Sequence, residues 1–485
     1  SSAAAKASAQ FSPAAQPPEK ISLKTKLTWL GLALLPAMML LTATTRLIKS
    51  IAAVPFLWLL PLAVYLLTFI ICFSPRKKVT AKFYAFVFVV LAALLGFFNF
   101  LPVHFLFLIL AEVLVFGAAA MLCHAKLYES RPGFNQLTLY YLYISLGGAL
   151  GTALIALIAP AVFSGYYEYG LVLSAVLAVA LFLTRKEIRE LYGLFKWKTL
   201  GLALLILLAV LLNSLNIFIA GSGARGEMVS RSRNFFGTLA VKKVLTADGE
   251  VVRLVNGNIL HGAQMLAPEK SSLPTTYYSE DSGVGLMMRA KQKIGRAGRL
   301  GIVGLGAGTM AAYCRPGDSY IFYDINPKVV EIANRDFSFL KQCRERGGRV
   351  AVKAGDARLV LERELLEAGA ELQDILILDA FSDDAIPVHL LTREAMKIYL
   401  ARLAPDGVLA VHISNRYLNL KPVLKGLARE YGLNDAVVEN YKSDRSLEKT
   451  NSVWVLLTKD KNILAGETFK EAEHLKKEKD IRLWT

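Results

Sequence analysis

Apolar residues run almost unbroken through seven stretches of the first half of this chain and fall into short, evenly spaced runs in the second. The stretches cover about residues 27–48, 52–73, 83–100, 102–123, 137–162, 166–184 and 199–221. Each is near the roughly 20 residues that a helix needs to cross a bilayer. Buried helices of a soluble protein do not account for seven in succession, so the pattern predicts a multi-pass α-helical membrane domain of about seven helices over residues 27–222. From Thr238 to Gln264 apolar and polar positions alternate around Asp248-Gly249 and Asn256-Gly257, both hairpin signals. They predict a small antiparallel β unit, followed by a connecting helix, over residues 223–297. Beyond it the runs RLGIV, SYIFYD, RVAVKAGD, DILILD and GVLAVHIS alternate with helical segments. That order predicts an α/β fold over residues 298–460, a doubly wound, Rossmann-like sheet with its ligand crevice at the carboxyl ends of the strands. Residues 461–485 read as a charged tail, and residues 1–26, rich in Ala, Ser, Pro and Lys and starting without Met, as a linker or processed segment.

Charge divides the chain at the same place. Residues 1–222 hold 17 Lys and Arg against 6 Asp and Glu, and the remainder 39 against 33. The excess cations therefore belong mainly to loops of the membrane half, and a lipid bilayer rather than nucleic acid is the expected partner. On one side lie four cations in the N-terminal segment, four at Arg76–Lys82, the pair Lys126 and Arg131, and five at Arg185–Lys198; the other side has only Arg46 and Lys49. The positive-inside rule makes loops 74–82, 124–136 and 185–198 cytoplasmic, in a cell or inner membrane. Seven spans then deliver the domain after residue 222 to the opposite face. Cytosolic supply of a cofactor conflicts with that, so either one stretch is re-entrant or the cofactor must cross the bilayer. Glu112 lies within the fourth stretch, where an ionisable group faces a bundle interior or a polar cavity. Gly147, Gly148 and Gly151 read as a close helix contact. Cys72, Cys123, Cys314 and Cys343 have no CxxC spacing, so they predict neither a disulfide framework nor a zinc site and read as packing residues.

Candidate chemistry sits at the strand ends. Gly304, Gly306 and Gly308 join the first strand of the sheet to a helical run, where glycines let the backbone approach a nucleotide and the helix N-terminus points at it. Asp324 ends the second strand twenty residues after Gly304, where a carboxylate can accept both hydroxyls of a ribose; the alternative is a helix cap. Asp356 ends the third strand, suited to the adenine side or to a turn, and Asp379 ends the fourth. The loop is GxGxG rather than GxGxxG and acids also end strands three and four, which fits an S-adenosylmethionine-type ligand better than a dinucleotide. His261, His389 and His412 fall near these segments without metal-site spacing, and no metal is expected. Asn415 and Arg416 either close the pocket or cap the next helix.

These residues resemble the spermidine synthase family of aminopropyltransferases, in its membrane-fused branch. The membrane-half echoes are VPFLWLLPLAVYLLTFI, CHAKLYESRPG and SLGGALG; the others are SRNFFGTLAV, a hairpin ending HGAQ, GLGAGT, DAFSDDAIPVHLLT and HISNRYL. The resemblance implies a class I S-adenosylmethionine-binding sheet and S-adenosylmethionine or its decarboxylated form as co-substrate. It makes Asp379 the carboxylate that takes a proton from an attacking amine, matches Tyr278 to the Tyr of a Y-x-E segment, and matches Gln264 to a Gln near the nucleoside's sulfur-side chain. Glu280, Asp383 and Asp384 become candidate amine-binding acids, and a small-molecule amine or polyamine the substrate, with a homo-oligomer left open. One departure is that the family's GGGDG loop has an Asp where this chain has Ala307, so the anchor for a decarboxylated ligand's amino group is absent. Methyl transfer on the same fold, and a transporter or sensor with a non-catalytic binding domain, are the competing functions.

Overall fold

The computed structural model describes residues 21–51, 58–74, 80–99, 104–194, 226–257, 259–292, 297–367, 369–381, 386–415, 418–441 and 447–475, with a few isolated positions besides. Contacts divide the chain into one compact unit up to residue 221 and a second from residue 222.

The first unit is a helical bundle: α1 (Leu23–Ile51), α2 (Leu59–Phe73), α3 (Ala81–Phe98), α4 (Phe105–Glu129), α5 (Leu137–Ala153) and α6 (Glu168–Leu194). Five segments among the described residues are long and apolar enough to cross a membrane: Leu23–Ile48, Ala81–Phe98, Leu106–Glu129, Phe134–Val162 and Glu168–Arg185. The expected second span is shorter, Leu59–Phe73, and its first residues, with most of the expected seventh, lie outside the described residues. After α5 the helix loosens into a π turn at Leu154–Ile158 just ahead of Pro160, which has no N–H to donate and crowds the preceding turn. Small residues set the packing. A Cβ on Gly147 would come within 2.5 Å of the Leu30 carbonyl oxygen, and one on Gly151 within 2.6 Å of that of Leu34, so α5 lies directly on α1. Gly148 points into open space. Glu112 is buried and ion-paired with Arg46, whose Nη2 also donates to Asn99 Oδ1 at 3.1 Å and whose guanidinium lies 4.8 Å over the Tyr169 ring. The charged pair thus ties α1, α3, α4 and α6 together inside the bundle.

The second unit opens with an antiparallel sheet in the order β1 (Glu227–Asn234), β2 (Gly237–Thr246), β3 (Gly249–Asn256), β4 (Ile259–Met265). Its turns fall at the predicted Asp248-Gly249 and Asn256-Gly257, but it begins one strand earlier than the alternation indicated. The helix α7 (Gly283–Gln292) leads to a seven-stranded sheet of order β10-β11-β9-β8-β5-β6-β7. Its strands are β5 (Arg299–Val303), β6 (Ser319–Asp324), β7 (Arg349–Ala354), β8 (Gln373–Leu378), β9 (Leu403–His412), β10 (Asn434–Asn440) and β11 (Ser452–Thr458). The intervening helices are α8 (Pro327–Arg335), α9 (Phe339–Glu345), α10 (Ala357–Glu364), α11 (Arg393–Arg402) and α12 (Lys421–Tyr431). The five strands read from the sequence, β5 to β9, pair in parallel as predicted; the sheet has two more, β10 and β11, and β11 runs antiparallel to both β9 and β10, giving a Rossmann-like, methyltransferase-type sheet. The edge strand β10 is not bare. Glu473 and Val437 exchange backbone hydrogen bonds at 2.7 and 2.9 Å, and Leu475 beside them is buried, so the expected charged tail partly packs down as an edge cover.

One core spans both sheets. Leu239, Val241 and Leu254 of the small sheet pack with Met287 and Met288 of α7 and with Ile302, Tyr320 and Phe322 of the large one. A second correction concerns the cysteines: Cys314 and Cys343 form a disulfide with their Cα atoms 5.3 Å apart, across 29 residues of sequence. The fold, not local spacing, brings them together, whereas Cys72 and Cys123 are free and buried.

Candidate active site

After β5 the chain turns through Gly304, Gly306 and Gly308, with φ of +97°, +53° and +80°. A Cβ at Gly304 would come within 2.3 Å of the Asp379 carbonyl oxygen, and one at Gly306 within 2.5 Å of that of His261. The loop therefore threads between the ends of β8 and β4 where no side chain fits, which is why these positions are glycine. The helix predicted next is only a 3₁₀ turn, Thr309–Tyr313, so the cradle is one of loop backbone rather than of a long helix terminus. Ala307 is fully buried, and its Cβ faces Gly262 so closely that a Cβ there would sit 2.5 Å away.

Asp324 stands at the end of β6 beside this loop. Its Oδ2 accepts the Leu305 N–H at 2.9 Å and its Oδ1 the Asn326 N–H at 2.8 Å. Burial raises its pKa above the ordinary carboxylate value, while those two N–H groups oppose the rise. A carboxylate has about four acceptor sites, so each oxygen retains acceptor capacity beyond these two bonds.

Asp379 is the centre of the site. The residue pairing Leu378↔Val411 between β8 and β9 sets the next two residues, Asp379 and His412, side by side. His412 Nδ1 lies 2.6 Å from Asp379 Oδ1, and the Tyr278 hydroxyl donates to Oδ2. The imidazole is stacked between Tyr277 (centroids 4.5 Å, 26°) and Trp454 (4.6 Å, 17°), with Phe381 edge-on at 5.0 Å. Its Nε2 lies 2.7 Å from Ser414 Oγ, which accepts the Val453 N–H at 2.7 Å. Desolvation, then the Asp379 charge, hold the Tyr277 and Tyr278 phenols well above the usual tyrosine range, so both stay protonated donors.

The tyrosine segment is fixed by unusual backbone. Thr276 has φ +58°, an outlier for a β-branched residue. Its N–H donates to the Glu448 carbonyl at 2.8 Å, and Glu448 has φ +53°. Arg253 clamps the Glu448 carboxylate through two hydrogen bonds of 2.9 and 2.6 Å. Strain of this kind costs about 1–3 kcal/mol per residue and persists where surrounding contacts over-determine it.

Other predicted residues have structural partners. Asp356 caps α10 through the Leu359 N–H at 3.1 Å and meets His389 Nε2 at 2.9 Å. Gln264 is a brace: its Nε2 donates to Ser271 O at 2.8 Å and Ser338 Oγ at 2.7 Å, and its Oε1 accepts the Ser338 N–H at 2.8 Å. Glu280 is exposed, with its carboxylate 4.0 Å from Arg289. Asn415 forms a turn, accepting the Leu418 N–H at 2.6 Å. Asp383, Asp384 and Arg416 lie outside the described residues. Sequence reasoning did not pair His412 with Asp379; the adjacency of the fourth and fifth strands was the signal that could have found that contact.

Glycine loop, acidic strand ends and sheet order together define a Rossmann-like crevice of the methyltransferase type. No family model matches the chain. Over 117 residues it is 34% identical to the polyamine aminopropyltransferase of Vibrio vulnificus (strain CMCP6), a match spanning 24% of this chain and 37% of that protein. Part of the chain is thus spermidine synthase-like by homology. Solved structures with a similar arrangement include a probable spermidine synthase from Corynebacterium glutamicum ATCC 13032, at 16% identity and TM-score 0.34, covering 48% of this chain and 79% of that one. Another is human methyltransferase-like protein 13 in complex with SAH, at 19% identity and TM-score 0.29, covering 39% and 86%.

Proposed function

We propose that this chain is a membrane-bound enzyme that takes S-adenosylmethionine or its decarboxylated form, transfers the sulfonium's carbon chain to an amine and releases methylthioadenosine. The observation that carries this reading is Asp379, a carboxylate gripped by Tyr278 and His412 beside the glycine loop. An attacking amine must be neutral, and a carboxylate at that point can hold the ammonium, take one proton and aim the lone pair. Formation of the new C–N bond then breaks the C–S bond, with its electron pair going to sulfur. Asp324 and the glycine loop would hold the ribose end of the nucleoside. The stretch of identity with a polyamine aminopropyltransferase supports the same chemistry.

Methyl transfer is the second reading, and Ala307 favours it because the wall against Gly262 carries no acid to hold a ligand's amino group. Mass spectrometry of the nucleoside released from S-adenosylmethionine and from its decarboxylated form, with and without putrescine, separates the two. Methylthioadenosine that depends on putrescine supports chain transfer; S-adenosylhomocysteine supports methyl transfer; intact nucleoside in every mixture removes putrescine as the acceptor and favours binding or transport, or a different acceptor.

The reading extends to the side of the membrane. With seven spans, the excess of Lys and Arg in loops 74–82, 124–136 and 185–198 over Arg46 and Lys49 on the other side sends the chain after residue 222 to the opposite face. A disulfide at Cys314–Cys343 is at home in an oxidising compartment. Both favour the non-cytoplasmic face for the second unit. A membrane-impermeant maleimide should label Asp248→Cys in intact cells; labelling only after lysis would reverse the assignment.

A further inference from the structure

We infer that His412 is the proton-holding partner of Asp379, so that the pair, rather than the carboxylate alone, exchanges one proton, with the Ser414 hydroxyl as its rotor. The inference deepens the amine-transfer reading and, in its use for catalysis, rests on it.

The geometry gives both imidazole nitrogens a partner in two protonation states. With the imidazole neutral, Nδ1–H donates to Asp379 Oδ1 and Nε2 accepts the Ser414 O–H, while Ser414 Oγ accepts the Val453 N–H. With the imidazole doubly protonated, Nδ1–H still donates to Asp379, and Nε2–H donates to Ser414 Oγ, whose hydroxyl hydrogen turns away. A serine hydroxyl has one donor and two acceptor sites, so Ser414 Oγ can serve Nε2 in both states; in the second its hydroxyl hydrogen gives up that acceptor and, Ser414 being only half-buried, turns to solvent. The ring itself cannot swing, because Tyr277 and Trp454 sandwich it and Phe381 closes its edge. Trp454 is in turn pinned by its Nε1–H, which donates to the Tyr277 carbonyl at 3.1 Å.

Among the described residues, the groups facing His412 are Asp379 from the end of β8, Tyr277 from the segment before α7, Trp454 from β11, Phe381 and Ser414; Tyr278 reaches it through Asp379. Asp379 is the only carboxylate in that set, and the phenols stay neutral. Gain and loss of a proton on the pair therefore changes its charge between neutral and −1. In amine transfer, an ammonium and a sulfonium become one new ammonium, one neutral thioether and one proton. That proton is the one the pair would receive before releasing it to solvent. His412 acts through Asp379 and is a positioning residue.

The stacked indole offers a readout that needs no substrate. A doubly protonated imidazole quenches an indole it stacks on, so full-length protein in detergent should show tryptophan emission that changes reversibly with pH. His412→Gln should abolish that change, and Asp379→Asn should move its midpoint by removing the negative charge. Ser414→Ala should also move it by deleting the rotor. Emission from the unsubstituted protein identical to that of His412→Gln at every pH would overturn the inference, as would a midpoint indifferent to Asp379→Asn. If the titration appears as described but no thioether nucleoside is ever released, the pair stands and the proposed reaction fails. Where release is observed, His412→Gln should displace the acid limb of the kcat/KM profile, and an unshifted limb would also refute the inference.

Discussion

Breaking the Cys314–Cys343 bond should weaken the second unit by a calculable amount. The bond closes a loop across 29 residues of sequence. On the chain-entropy account such a loop removes about 12 cal/mol/K from the unfolded ensemble, or about 3.5 kcal/mol at 25 °C. Both cysteines are buried, and a Cβ on Gly348 would lie 2.2 Å from Cys314 Sγ, so the surroundings are too close-packed for the two sulfurs to move far apart. For a unit of this size, each kcal/mol moves Tm by roughly 2–4 °C, and reduction should lower the transition by about 7–14 °C. The assay is thermal unfolding of the full-length protein in detergent, oxidised, reduced, and as Cys343→Ala. Reduction and substitution should give the same loss, with no further loss when the variant is treated with reductant. A transition within about 2 °C in all three samples would refute the reasoning, as would four reactive thiols in unreduced, denatured protein.

Three further outcomes follow from the crevice. Gly306→Ala forces a Cβ to 2.5 Å from the His261 carbonyl at φ +53°, and should cost on the order of 1–3 kcal/mol while weakening methylthioadenosine binding at least about tenfold; unchanged calorimetric affinity would show that the loop does not cradle the nucleoside. Asp379→Asn should leave nucleoside affinity near that of the parent and lower turnover by about 100-fold to 10,000-fold, the range for a positioned general base; undiminished turnover would strip Asp379 of that role. Burial raises the Asp324 pKa in the folded state, so its contribution to stability is complete below the unfolded value of about 3.9 and is lost as pH rises through the higher folded one. Asp324→Asn should therefore flatten the fall in Tm as pH rises above about 4 while abolishing nucleoside binding, and an unaltered slope would place that fall on another group.

The strands and their acidic ends were legible because each is a short apolar run closing on Asp324, Asp356 or Asp379, a pattern that depends only on local sequence. The partners of those acids were not. His412 is 33 residues from Asp379, and only the β8–β9 register makes them neighbours. Cys314 and Cys343 meet because a 3₁₀ turn and α9 pack together, which no spacing rule encodes. Asp356 and Gln264 carry residue types suited to a ligand, yet their hydrogen bonds hold a helix start and a loop in place. Strands β10 and β11 lie beyond the five runs read from the sequence, and the reversal of β11 is in any case not encoded in an apolar run that reads the same in either direction.

The contact of Gly262 with Ala307, and of Gly306 with the His261 carbonyl, bears on how a chain of this kind can be reshuffled. Two sheets that look like separable modules share one interlocked surface at the crevice, made of atoms too close to tolerate a single added methyl group. A recombination break between Met265 and Arg299 would join halves that had never been fitted to one another. Change at Ala307 is likewise not free, since any larger side chain must be matched by movement of the β4 backbone at Gly262. Substrate preference and the shape of the small sheet are therefore obliged to drift as a pair.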